Sequence, residues 1–85
     1  MRFVLNHRHL PRDCAVAYSA WKGFDSPLRH ASTLATCISE PAEPPAEHLL
    51  IWTVEAESED DALALLPDWL ADRTEVRRVA EVAIP

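Results

Sequence analysis

The chain has few of the features that mark secreted, membrane or nucleic-acid-binding proteins. Its 85 residues contain two cysteines and one glycine, and no apolar run approaches the roughly 20 residues that cross a bilayer. The N-terminal segment MRFVLNHRH lacks the apolar stretch of a secretory signal, so we expect Cys14 and Cys37 to be reduced thiols in a cytoplasmic protein. The formal net charge of -6, without a dense basic cluster, argues against a nucleic-acid surface and an anionic membrane.

The length fits a single domain, residues 1–85, with a small hydrophobic core. A chain this short buries a modest share of its unfolded surface, so its stability is marginal without additional support. Because we expect no disulfide, a second copy of the chain is the remaining source of stability. We therefore predict a homodimer.

The N-terminal third predicts a strand followed by a helix. Alternation over residues 2–9 predicts the strand, with Phe3, Leu5, His7 and His9 on one side. Pro11 is typical of a first helical position, and Gly23 suits the left-handed residue that ends a helix. The stripe on this helix consists of Cys14, Ala17, Tyr18 and Trp21.

The middle of the chain alternates between irregular and extended segments. Residues 24–33 predict a loop in which Ser26 and Pro27 begin a single helical turn. Residues 34–39 predict a short strand, and the segment EPAEPPAE predicts an exposed connector because its prolines and glutamates cannot pack or pair. Long irregular segments in compact domains often carry function, so the loop is the preferred site segment.

The segment from His48 to Val54 predicts a third strand with two apolar faces. Apolar residues occupy both sides of it: Leu50, Trp52 and Val54 on one, and Leu49 and Ile51 on the other. Two helices cover only one face of a sheet. The second apolar face therefore also favours a homodimer.

The last third predicts a broken helix and a closing strand. Ser58 with Asp61 resembles a capping box at the helix start. Pro67 removes a backbone donor inside the helical pattern, so we expect a break near residues 63–66 and a short second piece, PDWLAD. Alternation over residues 76–84 predicts the final strand.

The elements follow one another in the order βαββαβ. This order predicts an α+β, ferredoxin-like domain, in which a four-stranded antiparallel sheet carries two helices on one face.

The run VEAESEDDALALLPDWLADRTEVRRVAEVAIP resembles the second half of dimeric α+β-barrel proteins of the YCII-related and neighbouring small families. The shared features are an apolar strand, a Glu-x-(Glu/Asp)-Ser turn, an Ala/Leu helix and a closing strand that ends in Pro. The resemblance implies a homodimer whose sheets pack face to face, with a pocket between sheet and helices in each subunit. It implies no particular reaction, since such proteins include cofactor-free oxygenases, isomerases and haem proteins. YCII-type proteins carry a His–Asp pair in the pocket, and His7 or His9 matches its histidine.

The HRH segment offers a metal-binding hypothesis. His7 and His9 project from one face of a strand, about 7 Å apart at the backbone, and so present two ligands. A third ligand would come from His30, Cys37 or His48, since zinc accepts imidazole and thiolate. The alternative is that the histidines pack and form hydrogen bonds, because no compact metal-binding motif is present.

An acid/base role for a pocket histidine is preferred over metal binding, because histidine changes charge near neutral pH. The predicted catalytic set is His7, His9 and His30. The predicted ligand-binding set is Tyr18, Asp25, Arg29, Cys37, His48 and Trp52. Tyr18 and Trp52 also fit ordinary core positions, and Cys37 fits inert packing. No cofactor belongs to the predicted site.

Three functions follow from these residues. The first is a cofactor-free enzyme that uses a pocket histidine as acid or base on a small molecule. The second is a non-catalytic ligand-binding or accessory module, and the third is a metal-binding protein that uses the HRH histidines. The metal content of the purified protein separates the third function from the other two.

Overall fold

A computed structural model describes residues 1–29 and 48–85, together with the backbone of residues 36–39. The elements in chain order are β1 (Arg2–His9), a 3₁₀ turn (Pro11–Asp13), α1 (Cys14–Ala20), a second 3₁₀ turn (Pro27–Arg29), β2 (Thr36–Ser39), β3 (His48–Glu55), α2 (Glu59–Leu63), α3 (Asp68–Ala71) and β4 (Thr74–Val79). The predicted connector and His30 lie outside the described residues.

The sheet is antiparallel throughout, with the strand order β2-β3-β1-β4. β1 pairs with β3 from Arg2 opposite Glu55 to His9 opposite His48. β1 therefore lies at the centre, and its C-terminal end meets the beginning of β3. This register places two histidines side by side at one end of the sheet.

The core lies between one face of β1 and the two C-terminal helices. Phe3, Leu5, His7 and His9 of β1 are all buried. Ala62 of α2, Leu70 of α3 and Leu66 between them are buried against the apolar part of this face. Each fully buried aliphatic or aromatic side chain contributes roughly 1.5–3 kcal/mol, so these contacts supply much of the stability of so small a domain.

The predicted start of the second helix and its break at Pro67 are confirmed, whereas Pro11 begins a 3₁₀ turn and α1 itself spans Cys14–Ala20. The Ser58 side chain accepts a hydrogen bond from the backbone N–H of Asp61 at 3.1 Å, as an N-terminal cap does. α2 ends at Leu63 and α3 begins directly after Pro67, because proline lacks the backbone donor that a continuous helix needs. Gly23, three residues beyond the end of α1, has a φ of 71°, the left-handed conformation predicted for it.

The prediction of a ferredoxin-like domain is wrong. The strands whose side chains are described, β1, β3 and β4, form a three-stranded antiparallel sheet. Only the backbone of four residues, Thr36–Ser39, pairs along its β3 edge. Within the described residues, the helical layer consists of three short α-helices of seven, five and four residues rather than two full helices. Pro67 is the physical reason for the extra helix, because it divides the second predicted helix into two. The predicted dimeric α+β barrel, which is built from ferredoxin-like domains, is wrong for the same reason.

The end of the last strand also differs from the prediction. β4 ends at Val79 rather than at Ile84. Val79 pairs with Arg2, near the start of the chain, so β1 has almost no further residues for a longer strand to pair with. The apolar side chains of Val82 and Ile84 are consequently exposed.

The face of β3 that points away from the helices is apolar, as its alternation predicts. Leu49 and Ile51 are partly buried on that face in the single chain. The homodimer inferred from this pattern stays a prediction. Among the described residues, no helix is long and apolar enough to cross a membrane.

Candidate metal centre and adjoining cavity

Three side chains with metal-binding atoms meet at the C-terminal end of β1. His9 is the last residue of β1, Cys14 the first of α1 and His48 the first of β3. His9 and His48 are a directly opposed pair of the antiparallel ladder, so their side chains share one face at close range. Cys14 stays near them because only Leu10 and one 3₁₀ turn separate β1 from α1. We call these three residues the His–Cys–His cluster.

The distances within the His–Cys–His cluster suit a single metal ion. Its ligand atoms all lie within 4.8 Å of one another. Cys14 Sγ is 3.6 Å from His9 Nε2 and 3.1 Å from His48 Nδ1. Around tetrahedral zinc, a thiolate sulfur and an imidazole nitrogen lie about 3.5 Å apart, as the usual bond lengths require. The two sulfur–nitrogen distances lie within about 0.4 Å of this value.

His7 connects His9 to the backbone of α3. Its Nε2 lies 2.9 Å from Nδ1 of His9. Its Nδ1 lies 3.2 Å from the carbonyl oxygen of Leu70 and 3.3 Å from Oγ1 of Thr74. The Thr74 hydroxyl donates to the same Leu70 carbonyl at 2.6 Å, so towards His7 its oxygen is an acceptor.

The acceptors around His7 assign the protons of both histidines. A carbonyl oxygen only accepts, so Nδ1 of His7 carries the hydrogen and donates it to Leu70. The other nitrogen of a neutral imidazole has no hydrogen, and Nε2 of His7 therefore accepts from Nδ1–H of His9. Nε2 of His9 is left with a lone pair beside Cys14 Sγ. A metal-bound histidine needs this state, and it commonly has such a hydrogen bond on its other nitrogen.

Burial keeps His7 in the neutral state that this network requires. His7 is completely buried, and burial lowers its pKa from the ordinary 6.5 to about 4. Burial also lowers the pKa of His9, with a further contribution from the charge of His48. A protonated His7 would donate from both nitrogens, so Nδ1 of His9 would have to accept. A neutral His9 would then carry its hydrogen on Nε2. The uncharged network is therefore the form that leaves a lone pair for a metal.

Trp69 covers the two strand histidines. Its ring centroid lies 6.0 Å from that of His7 and 6.3 Å from that of His9. The Arg73 guanidinium stacks on the same indole ring, 3.9 Å from the ring centroid. The indole therefore packs against both imidazole rings.

A cavity of about 620 Å³ lies beside the His–Cys–His cluster, between α1 and the sheet, and all three cluster residues line it. Its volume falls within the usual range of small-molecule sites. Apolar and aromatic side chains form much of the remaining described wall, with Trp21 and Trp52 the largest. A small molecule bound there would lie against the cluster.

Five of the predicted site residues line the cavity, and the others lie elsewhere or outside the described residues. Those that line the cavity are His9, Tyr18, Arg29, His48 and Trp52. His7 lies behind His9, and Asp25 is exposed and not part of the described cavity wall. Tyr18 is 83 % exposed and is not a core residue. His30 and the Cys37 side chain lie outside the described residues.

The prediction that His7 and His9 act together as two metal ligands is corrected by their geometry. Their facing nitrogens are hydrogen-bonded to each other at 2.9 Å. The second nitrogen of His7 is engaged by the Leu70 carbonyl. Only His9 of this pair has a nitrogen that points into the His–Cys–His cluster.

Cys14 is the site residue that the sequence pattern did not reveal. Its place in a helical stripe with Ala17 and Trp21 is equally typical of a packing residue. The usable signal was its short separation from His9. Only four residues, Pro11 among them, lie between the two, so Cys14 cannot lie far from the end of the strand. Lys22, which also lines the cavity, was missed for a simpler reason, since a lone exposed lysine carries no recognisable pattern.

Comparison of the chain with family models, curated proteins and solved structures finds no match. The geometry of the His–Cys–His cluster and of the cavity is therefore the basis for a proposed function.

Proposed function

We propose that this protein binds a divalent transition-metal ion, best matched by zinc, through His9, Cys14 and His48. The convergence of three ligand atoms within 4.8 Å, supplied by three separate elements, carries this proposal. Imidazole and thiolate are ligands that suit zinc, whereas magnesium and calcium prefer oxygen. A reducing cytoplasm, which belongs to the proposal, would keep Cys14 available as the thiolate.

Three protein ligands give the proposed ion one further position. Structural zinc sites have four protein ligands, whereas catalytic sites keep the fourth position for water or substrate. All three cluster residues line the cavity, so the fourth ligand would come from there. Zinc in such a site polarises a carbonyl group or lowers the pKa of bound water. The function we propose is zinc-dependent binding and activation of a small molecule.

His7 is a positioning residue in this proposal. It holds Nδ1 of His9 and thereby keeps the lone pair of Nε2 directed at the metal position. Loss of such a supporting hydrogen bond usually weakens metal binding by about 10- to 100-fold. A His7→Leu variant should therefore bind zinc more weakly without changing the stoichiometry.

Calorimetric titration of chelator-treated protein with zinc tests the proposal. The wild-type chain should bind one zinc ion, and Cys14→Ser should lose more affinity than the His7 variant because a direct ligand is removed. Ala15→Ser is the matched control, since it places the same serine on the exposed side of α1. Circular dichroism of each metal-free variant checks that it folds. The proposal is wrong if the wild type takes up no zinc or if Cys14→Ser binds zinc as tightly as the wild type.

A metal-free thiol enzyme is the second candidate, favoured by one contact. Cys14 Sγ lies 3.1 Å from His48 Nδ1, the arrangement in which an imidazole activates a thiol nucleophile. Alkylation of the metal-free protein by iodoacetamide tests it. Rapid reaction at Cys14 that slows in His48→Ala, together with failure to bind zinc, would select this candidate.

The resemblance of residues 54–85 to YCII-related proteins stays a prediction. The homodimer stays one too, and light scattering on the purified protein measures it directly.

A further inference from the structure

The described wall of the cavity has a charge opposite to that of the whole chain. The chain has a formal net charge of -6, yet the charged residues that line the cavity are Lys22 and Arg29, with no aspartate or glutamate among the described lining residues. Within the described part of the chain, neither cation forms an ion pair with a carboxylate. The described wall therefore favours an anionic ligand.

Arg29 is held in place at this wall. Its Nη1 donates to the carbonyl oxygen of Phe24 at 3.0 Å. A guanidinium has five N–H donors in a planar fork, so this bond orients the group and leaves donors for a carboxylate. Lys22 lies in the turn that follows α1 and supplies a second positive charge.

The aromatic lining adds the second element of recognition. Trp21 and Trp52 line the cavity, and their ring centroids lie 6.1 Å apart with the planes tilted by 55°. Flat rings pack well against such surfaces.

The two polar ends of the cavity are separated along α1. Cys14 begins the helix and Lys22 follows its last turn, eight residues later, which corresponds to about 12 Å along a helix axis. A ligand whose anionic group reaches the cations would extend past the tryptophans towards the His–Cys–His cluster.

We propose that the cavity binds an aromatic carboxylate whose carboxylate is held by Lys22 and Arg29 and whose ring packs against Trp21 and Trp52. This orientation directs the other end of the molecule to the His–Cys–His cluster, and that part of the inference rests on the proposed zinc site. The carboxylate end is independent of zinc.

Naphthalene-2-carboxylate and its neutral analogue naphthalene-2-carboxamide are suitable probes. Calorimetry on metal-free and zinc-loaded protein compares their affinities for the wild type and for Lys22→Gln, Arg29→Gln and Arg78→Gln. Arg78 is exposed on β4, outside the described lining, and its substitution removes the same charge. We expect the carboxylate to bind about tenfold more tightly than the carboxamide, as one net charge-assisted contact provides.

The variants separate recognition by the two cations from other causes. Lys22→Gln and Arg29→Gln should each weaken carboxylate binding several-fold and leave carboxamide binding unchanged, whereas Arg78→Gln should change neither. Equal affinity for the two probes, or an equal loss in Arg78→Gln, would overturn the proposal. Carboxylate binding that requires zinc and survives both cavity variants would also overturn it, because the anion would then bind the metal directly.

The zinc titration separates this proposal from the one on which it partly rests. If the chain binds the carboxylate and takes up no zinc, the proposed recognition by Lys22 and Arg29 stands and the proposed metal site is wrong. If the chain binds zinc and does not distinguish the carboxylate from the carboxamide, the metal site stands and the proposed recognition is wrong. In ¹H–¹⁵N spectra, the indole N–H signals of Trp21 and Trp52 should shift more on carboxylate binding than that of Trp69, which does not line the cavity.

Discussion

The buried face of β1 has two halves of different chemistry. Phe3 and Leu5 form an apolar half packed against the helices, whereas His7 and His9 form a polar half that is buried to a similar extent. The apolar half gains free energy by leaving water. The polar half requires hydrogen bonds and a neutral protonation state to compensate for burial. A domain this small has few buried positions, so two buried histidines indicate a role beyond packing.

The hydrogen bonds of the polar half form a chain in which each N–H donates towards the Leu70 carbonyl. They begin at the Leu70 carbonyl, pass through His7 and end at the lone pair of His9 Nε2. Each polar nitrogen of His7 has a partner, so the buried ring is satisfied without any charge. The lone pair on Nε2 of His9 lies at the other end of this network, 3.6 Å from Cys14 Sγ. The polar half therefore positions the proposed metal site, whereas the apolar half supplies hydrophobic burial.

Removing an apolar contact should have the largest effect. Leu66 is 1 % exposed in the cluster that contains Phe3 and Leu5. Leu66→Ala should lower the free energy of unfolding by about 2–5 kcal/mol, since it removes buried methyl groups and leaves a cavity. Denaturant unfolding measures the change. Ile84→Ala is the matched control, because Ile84 is exposed and its truncation should cost little. Equal losses would mean that the apolar half does not carry the stability.

The polar half should make stability depend on pH. The folded pKa of His7 is lowered to about 4, so below the unfolded value of 6.5 the unfolded chain binds the additional proton. Stability from this group is fully present above pH 6.5 and is lost as the pH falls towards 4, by about 3 kcal/mol in total. Unfolding of metal-free wild type and His7→Leu between pH 7 and pH 4 measures the difference. Parallel curves for the two proteins would contradict the assignment of a neutral, buried His7.

Zinc should stabilise the folded chain through the polar half. At a free zinc concentration 100-fold above the dissociation constant, binding to the folded state adds about 2.7 kcal/mol. Thermal unfolding with and without zinc should show this gain in wild type and in Ala15→Ser, and not in Cys14→Ser. A similar gain in Cys14→Ser would place the ion elsewhere on the chain.

The smallest of these effects concerns a contact outside both halves. Ser58 caps α2 through the backbone N–H of Asp61, and Ser58→Ala should lower the free energy of unfolding by about 1 kcal/mol. Zinc affinity should stay unchanged, because α2 contributes no residue to the His–Cys–His cluster. A change in zinc affinity would show that the helical layer and the metal site are coupled.

Local signals in the sequence predicted the element boundaries better than the fold. Pro67 and Ser58 act on their own helix, so the break between α2 and α3 and the start of α2 could be predicted from single residues. The number of helices and the size of the sheet depend on how short pieces pack together, and the βαββαβ pattern predicted too few helices and too large a sheet. The end of β4 depended on the register with Arg2, which no local pattern contains.

The candidate site was predictable to the extent that it lies on β1. Alternation placed His7 and His9 on one face, but their mutual hydrogen bond, which leaves one ligand rather than two, depends on ring positions. His48 joins the cluster because it pairs with His9 across the sheet. Cys14 joins through a turn whose path the sequence does not specify. Residues from three elements converge only once the register is known.

The most direct test of the account is anomalous diffraction at the zinc absorption edge from crystals of the zinc-loaded chain. We predict one strong peak bonded to His9 Nε2, Cys14 Sγ and His48 Nδ1, with Zn–N distances of about 2.0–2.1 Å and a Zn–S distance of about 2.3 Å. His7 should remain hydrogen-bonded to His9 and the Leu70 carbonyl, outside the coordination sphere. A peak bonded to His7, or no peak within bonding distance of Cys14, would contradict the account.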